Sequence, residues 1–179
     1  MLTTTVGSCP EPDDVPIRDW FEQGNGAEVA EPTAGHADTM RQYGERLQAI
    51  LDRATIEVVR EQVALGVDIP SDGEVRRENY IHYHCRHLAR IDFETLPDKQ
   101  MRGHYQARLP TITGRVQASR EPFLMRDWQI AQSATRRPVK IALPGSLTIA
   151  DSVADAFYEE PPARRRARGC VQRRDPAPG

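Results

Sequence analysis

The stretch Gly66-Val67-Asp68-Ile69-Pro70-Ser71-Asp72-Gly73-Glu74-Val75-Arg76-Arg77-Glu78-Asn79 constrains the fold more than any other part of the chain. Gly66 closes a long apolar-periodic segment. A glycine there reads as a helix stop, because it enters the left-handed region without a Cβ penalty. Residues 67–69 form a short apolar run of strand length, and Pro70, which has no N–H, ends any ladder they join. Asp72 and Glu74 follow at the carboxyl end of that strand, and a second helix is expected over residues 75–89. In βα-repeat proteins the loops leaving the C-terminal ends of the strands share one face, and that face holds the chemistry. Two carboxylates in such a loop suit a substrate ammonium group. The competing reading is a Ser-Asp-Gly turn whose acids only cap the next helix; on these residues alone the two stand level.

Around this centre the remaining elements fall into an alternating order. Residues 2–6 (Leu-Thr-Thr-Thr-Val) are β-branched and end at Gly7-Ser8, which predicts a buried strand followed by a tight turn. A short helix is expected near Trp20 and Phe21. From residue 38 to 65, Met40, Tyr43, Leu47, Ile50, Leu51, Ala54, Val58 and Leu65 recur at helical spacing and predict one long helix packed on a sheet. Residues 91–115 lack helical period and predict a β excursion, an antiparallel ribbon. Residues 121–135 predict a helix with Phe123, Leu124, Trp128 and Ala131 on its apolar face. Residues 138–143 predict a third buried strand, and a helix is expected from 149 to 158.

The histidine-rich run His82-Tyr83-His84-Cys85-Arg86-His87 invites a metal reading. On a helix turning ~100° per residue, however, His82 and His87 project to opposite flanks while Ile81, Cys85 and Leu88 share the buried stripe, so no zinc site is expected there. Cys9, Cys85 and Cys170 are odd in number and widely spaced, which supports neither a disulfide framework nor a CxxC motif. The net charge of −2 is uneven: from residue 161 onward six arginines face Asp175 alone, a balance of +5 that leaves −7 for the rest. That Arg/Pro-rich tail, residues 161–179, is expected to be disordered, with no nucleic-acid role. No apolar run is long enough to span a membrane, the start has no secretion-signal pattern, and a cytoplasmic location is expected.

Three segments together resemble the C-terminal catalytic domain of cobalamin-independent methionine synthase. They are Thr3-Thr4-Thr5-Val6-Gly7-Ser8-Cys9-Pro10, residues 61–79 through Asp72-Gly73-Glu74, and Pro138-Val139-Lys140 through Pro144-Gly145-Ser146-Leu147-Thr148. The resemblance covers roughly residues 2–158. It implies a (β/α)8 TIM-type barrel that moves a methyl group from a methylated polyglutamyl folate to homocysteine, with zinc holding the thiol as thiolate. A free thiol near neutral pH is mostly protonated, and a metal-bound one is not. By the same resemblance Gly7 and Ser8 contact the amino-acid part of homocysteine and Glu74 takes its ammonium, with Asp72 beside it. The chain departs from the family pattern at Cys9, where Phe is usual, at Ser146, where Pro is usual, and near Ser152, where a Trp is usual.

The expectation is therefore an α/β chain. Residues 1–160 form a partial (β/α)8 barrel of about three βα units, with a β excursion between the second and third. The family's zinc ligands would come from later strands, so the expected protein is a truncated, inactive methyltransferase copy. The alternatives are a non-catalytic module completed by a second subunit, and a uroporphyrinogen-decarboxylase-like barrel.

Overall fold

The structure is a computed structural model, and it describes residues 1–17, 30–101, 105–118 and 123–158. The short helix expected near Trp20 and Phe21 and the arginine-rich tail lie outside those residues. The chain is a mixed α/β structure of five helices and five strands among the described residues.

The long helix is two. Helix α1 (Ala30–Tyr43) meets α2 (Glu45–Ala64) at Gly44, whose φ of +53° breaks the run. Within α2 the periodic residues Leu47, Leu51, Ala54 and Val58 are buried as expected, and they pack with Val15, Ile17 and Val75 in one core cluster. Leu65 lies past the helix end and is exposed. Gly66, with φ +89° and its N–H donating to Val63 O at 3.1 Å, closes α2 as a left-handed cap.

Residues 2–6, 67–71 and 138–143 run parallel, but their backbones pair only through single bridges, Thr4 to Ile69 and Ser71 to Lys140. Leu2 and Val6 are exposed, which corrects the expectation of a buried first strand; the β-branched threonines between them bond the neighbouring segment instead. Of the third segment Val139 is buried, against Val59 of α2 and Ala131 of α4 (Phe123–Ser133).

The helix expected over 75–89 is also corrected. Residues 73–81 are turns, and only α3 (His82–Arg86) is helical. Asn79 Oδ1 accepts the N–H groups of Ile81 (2.9 Å) and His82 (3.1 Å), capping the helix late. The chain then enters β1 (Leu88–Asp92), antiparallel to β4 (Thr111–Ala118), with a bulge where Arg90 takes φ +70°. β2 (Asp98–Met101) and β3 (Tyr105–Arg108) form the expected antiparallel ribbon. The last helix, α5 (Ser146–Asp151), is shorter than expected, because residues 154–155 become β5 (Ala154–Asp155), parallel to β4. Among the described residues no helix is long and apolar enough to cross a membrane.

Ile81 and Cys85 are buried together with Ile112 and Val153, as the sequence stripe implies. His82 is 2% exposed, and its Nδ1 lies 2.7 Å from Thr33 Oγ1. Burial first, then Arg86, pull its pKa from 6.5 down to about 4, against a backbone hydrogen bond at Ser152 that raises it. A histidine whose folded pKa is depressed contributes stability above the unfolded value and loses it as pH falls from 6.5 toward 4. His82→Gln is therefore expected to flatten the acid limb of the stability curve by about 1.4 kcal/mol per pH unit in that window. Urea titrations of both proteins at pH 7, 6 and 5 check this; parallel pH profiles would contradict it.

Candidate substrate site at the strand ends

Because the three bridged segments run parallel, the residues that follow each of them emerge on one side. These are the turn at Gly7, Ser8 and Cys9, the acidic turn at Asp72, Gly73 and Glu74, and the segment from Ala142 to Gly145. The first two turns are joined directly: Cys9 N–H donates to Gly73 O at 3.0 Å. Gly7 has φ +87°, a conformation that a side-chain-bearing residue adopts only with strain, and Gly7 and Ser8 are both exposed.

Glu74 is the more telling position, since it is a non-glycine residue at φ +60°. Such backbone costs of order 1–3 kcal/mol and persists only where the surroundings over-determine it. Here Asp72 and Arg77 supply those surroundings. Glu74 N–H donates to Asp72 Oδ1 at 3.4 Å, and Glu74 Oε1 lies 3.8 Å from Arg77 Nη1. Its side chain is 13% exposed, so the carboxylate is half-sheltered at the turn.

Asp72 is buried and committed to Arg77, whose Nη2 donates to its Oδ2 at 2.9 Å. Burial pushes the Asp72 carboxyl up from its ordinary value, and the Arg77 charge only partly reverses this. Arg77 also donates from Nη1 to Ala142 O at 3.0 Å, so one guanidinium ties the acidic turn to the third segment. Cys9 sits against this group. Its thiol pKa is raised by burial and then by Asp72, Glu61 and Glu74, which places the Gly7-Ser8-Cys9 turn within electrostatic reach of both acids.

Beneath the turns Gln62 of α2 pins two strands. Its Oε1 accepts from Thr5 Oγ1 (2.8 Å) and Ser71 N–H (2.9 Å), and its Nε2 donates to Ser71 O (2.9 Å). Lys140 Nζ donates to Thr5 O across from the third segment. Sequence reasoning passed over Gln62, Arg77 and Lys140. The first carried a legible signal, since position 62 continues the buried stripe four residues after Val58 and holds a polar residue there.

The structure brings the turn of Gly7 and Ser8 to the turn of Asp72 and Glu74, and it sets both acids against Arg77, Asp72 by a hydrogen bond at 2.9 Å and Glu74 by an ion pair at 3.8 Å. Among the described residues no three His, Cys, Asp or Glu side chains are grouped so as to hold a metal ion. The donor set present does not fit zinc, and no step is assigned to it.

The catalytic-domain model of the cobalamin-independent synthase family matches residues 1–171. The chain is 25% identical over 88% of its length to a methionine synthase of Sulfolobus acidocaldarius, of which it covers 41%. It is 31% identical over 82% of its length to the 5-methyltetrahydropteroyltriglutamate–homocysteine methyltransferase of Mesorhizobium japonicum, covering 17% of that protein. In three dimensions it is similar to a B12-independent methionine synthase from Shewanella sp. W3-18-1, solved in complex with selenomethionine. The TM-score is 0.71 at 28% identity, covering 92% of this chain and 43% of that one. The chain therefore spans well under half the length of these relatives.

Proposed function

Because the chain belongs to the cobalamin-independent synthase catalytic-domain family, we propose that it carries the amino-acid-binding part of a methyltransferase site, one that takes homocysteine. In this reading the three parallel segments are the opening strands of a (β/α)8 barrel, and a methylated polyglutamyl folate is the methyl donor. Gly7 and Ser8 receive the amino-acid part of homocysteine on an exposed turn, and Glu74 accepts its ammonium. Asp72 acts through Arg77, which fixes the turn on which Glu74 stands. The observation that carries this reading is the bond from Cys9 N–H to Gly73 O, which sets the two turns side by side at the strand ends. The Mesorhizobium relative, a homocysteine methyltransferase by name, supports the choice of substrate.

A charge-assisted contact to an ammonium contributes on the order of 1.5–3 kcal/mol, so Glu74→Gln is expected to weaken L-homocysteine binding roughly tenfold or more. Because Glu74 is 13% exposed and lies 3.8 Å from Arg77 Nη1, circular dichroism and Tm are read alongside to show that the variant stays folded. Calorimetry on both proteins checks this; equal affinities, or no homocysteine binding by the wild type, would overturn the assignment. Supplied with homocysteine, zinc and methyl-folate, the purified chain is expected to show no methyl transfer, and turnover would refute the reading of it as only part of a methyltransferase site.

A second reading, a binding module completed by another polypeptide, is favoured by the exposed apolar side chains of Leu2, Val6 and Leu143 on the outer two segments. Native mass measurement of protein from its source decides it. A single-chain mass counts against the module.

A further inference from the structure

Outside the strand ends, a cavity of about 430 Å³ lies where α1, α2 and α4 meet the turns before α3. That volume is in the range of small-molecule sites. None of Gly7, Ser8, Asp72 or Glu74 lines it. Its floor is apolar, from Leu47 and Leu51 of α2, and Phe123 of α4 stacks on His87 with ring centres 3.7 Å apart and planes 5° from parallel.

The charged wall is rich in donors and poor in acceptors. Three guanidinium groups, Arg76, Arg86 and Arg126, line the cavity with one carboxylate, Asp127. That carboxylate is already taken: Tyr83 OH donates to its Oδ2 at 2.6 Å, and its Oδ1 faces Arg76 Nε at 3.5 Å. The other acids lie behind the wall. Asp52 accepts from Arg76 and, at 3.0 Å, from Arg126, while Glu78 accepts from Arg86 at 2.6 Å. Arg76 is the decisive residue. Its side chain is 5% exposed, yet its Nε–H makes no hydrogen bond. Asp127 Oδ1, at 3.5 Å, pairs with this nitrogen without making a hydrogen bond, and a buried N–H on a cavity wall left with no hydrogen bond can take a closer acceptor from outside the chain. Burial and then Arg86 lower the pKa of His36, also on the wall, to about 4.

We propose that this cavity is a ligand site for a small organic carboxylate with a flat apolar body, separate from the site at the strand ends. The carboxylate meets the guanidinium wall, and the flat body lies along the Phe123–His87 stack over the leucines. A carboxylate suits forked guanidinium donors in both charge and geometry. Among the described residues the one carboxylate lining the cavity, Asp127, is already engaged by Tyr83 and Arg76, which disfavours a cation.

Benzoate is the probe, with benzyl alcohol as its uncharged counterpart, titrated calorimetrically into the whole chain. Benzoate is expected to bind with 1:1 stoichiometry and benzyl alcohol at least about tenfold more weakly. Arg126→Gln, at a half-exposed position, should weaken benzoate about tenfold, and Met40→Trp, which fills the cavity from its exposed rim, should abolish binding. Circular dichroism shows whether each variant folds, and Arg126→Gln decides the matter if Met40→Trp does not. Glu74→Gln separates the two sites: it should leave benzoate binding unchanged whether or not it alters homocysteine binding. No benzoate binding at millimolar concentration, equal affinity for benzyl alcohol, indifference to Arg126→Gln, or loss in Glu74→Gln would each overturn the proposal.

Discussion

Replacing Arg77 with methionine is expected to lower the free energy of unfolding by about 3–5 kcal/mol at neutral pH. The guanidinium is 2% exposed and its partner Asp72 7% exposed, so the deletion strands a carboxylate where water cannot reach it. It also removes the donor to Ala142 O and frees the third segment from the acidic turn. The direction of the pH effect follows from the sign of the Asp72 shift. Burial already raises that carboxyl and Arg77 opposes the rise, so losing Arg77 raises it further. A carboxyl whose folded pKa lies above its unfolded value favours the folded state at low pH and penalises it once ionised. The Arg77→Met deficit should therefore be largest near pH 7 and shrink as pH falls. Adding Asp72→Asn should recover much of it. Urea unfolding of the two single variants and the double at pH 7 and 5 checks all three statements; a surface-sized loss below about 1 kcal/mol would show that the pair is not buried in solution.

Gly73→Ala is the second large effect. At φ +68° an alanine carries the left-handed penalty of roughly 1–2 kcal/mol, and its Cβ would lie 2.5 Å from Val58 Cγ1 and 3.3 Å from Cys9 Cβ. Val58 is 3% exposed in the main core cluster and has nowhere to yield, so overpacking adds roughly 1–3 kcal/mol. The total, about 2–5 kcal/mol, should appear as a clear fall in Tm. Because Gly73 O is the acceptor for Cys9 N–H, the same variant should separate the two turns and cost homocysteine affinity beyond its effect on stability. An alanine variant with wild-type Tm would show that the turn is looser than this geometry.

What the sequence made legible was whatever depends on local period. The buried stripe of α2 and its glycine stop are local features and were found where the spacing put them; the apolar face expected on α4 is corrected, since Ala131 is buried but Trp128 is exposed and the other buried position is Asp127. The helix expected over 75–89 failed for a reason that periodicity does not encode: Asn79 offers its side-chain oxygen to Ile81 and His82, and residues 88–92 are claimed by β4, a strand far along the chain that pairs Leu88 with Ala118. Exposure of Leu2 and Val6 was equally hidden, since β-branched composition marks a strand and not the number of neighbours beside it. At the site, the acidic turn was visible as a Ser-Asp-Gly-Glu string. The geometry of the two acids was not, because Arg77 holds Asp72 by a hydrogen bond at 2.9 Å and Glu74 by an ion pair at 3.8 Å, and the left-handed backbone at Glu74 is not encoded in local spacing.

Gln62 bears on how this face comes apart. One amide clasps Thr5 and Ser71, and Lys140 reaches Thr5 from the third segment, so three segments with almost no mutual ladder share their fastenings with a helix. Opening any one of them breaks bonds that the others need. Amide protons at Ser71, Ile69 and Lys140 should consequently exchange in a single cooperative event rather than fray one after another, giving the loosest-looking sheet in the molecule the kinetics of one foldon.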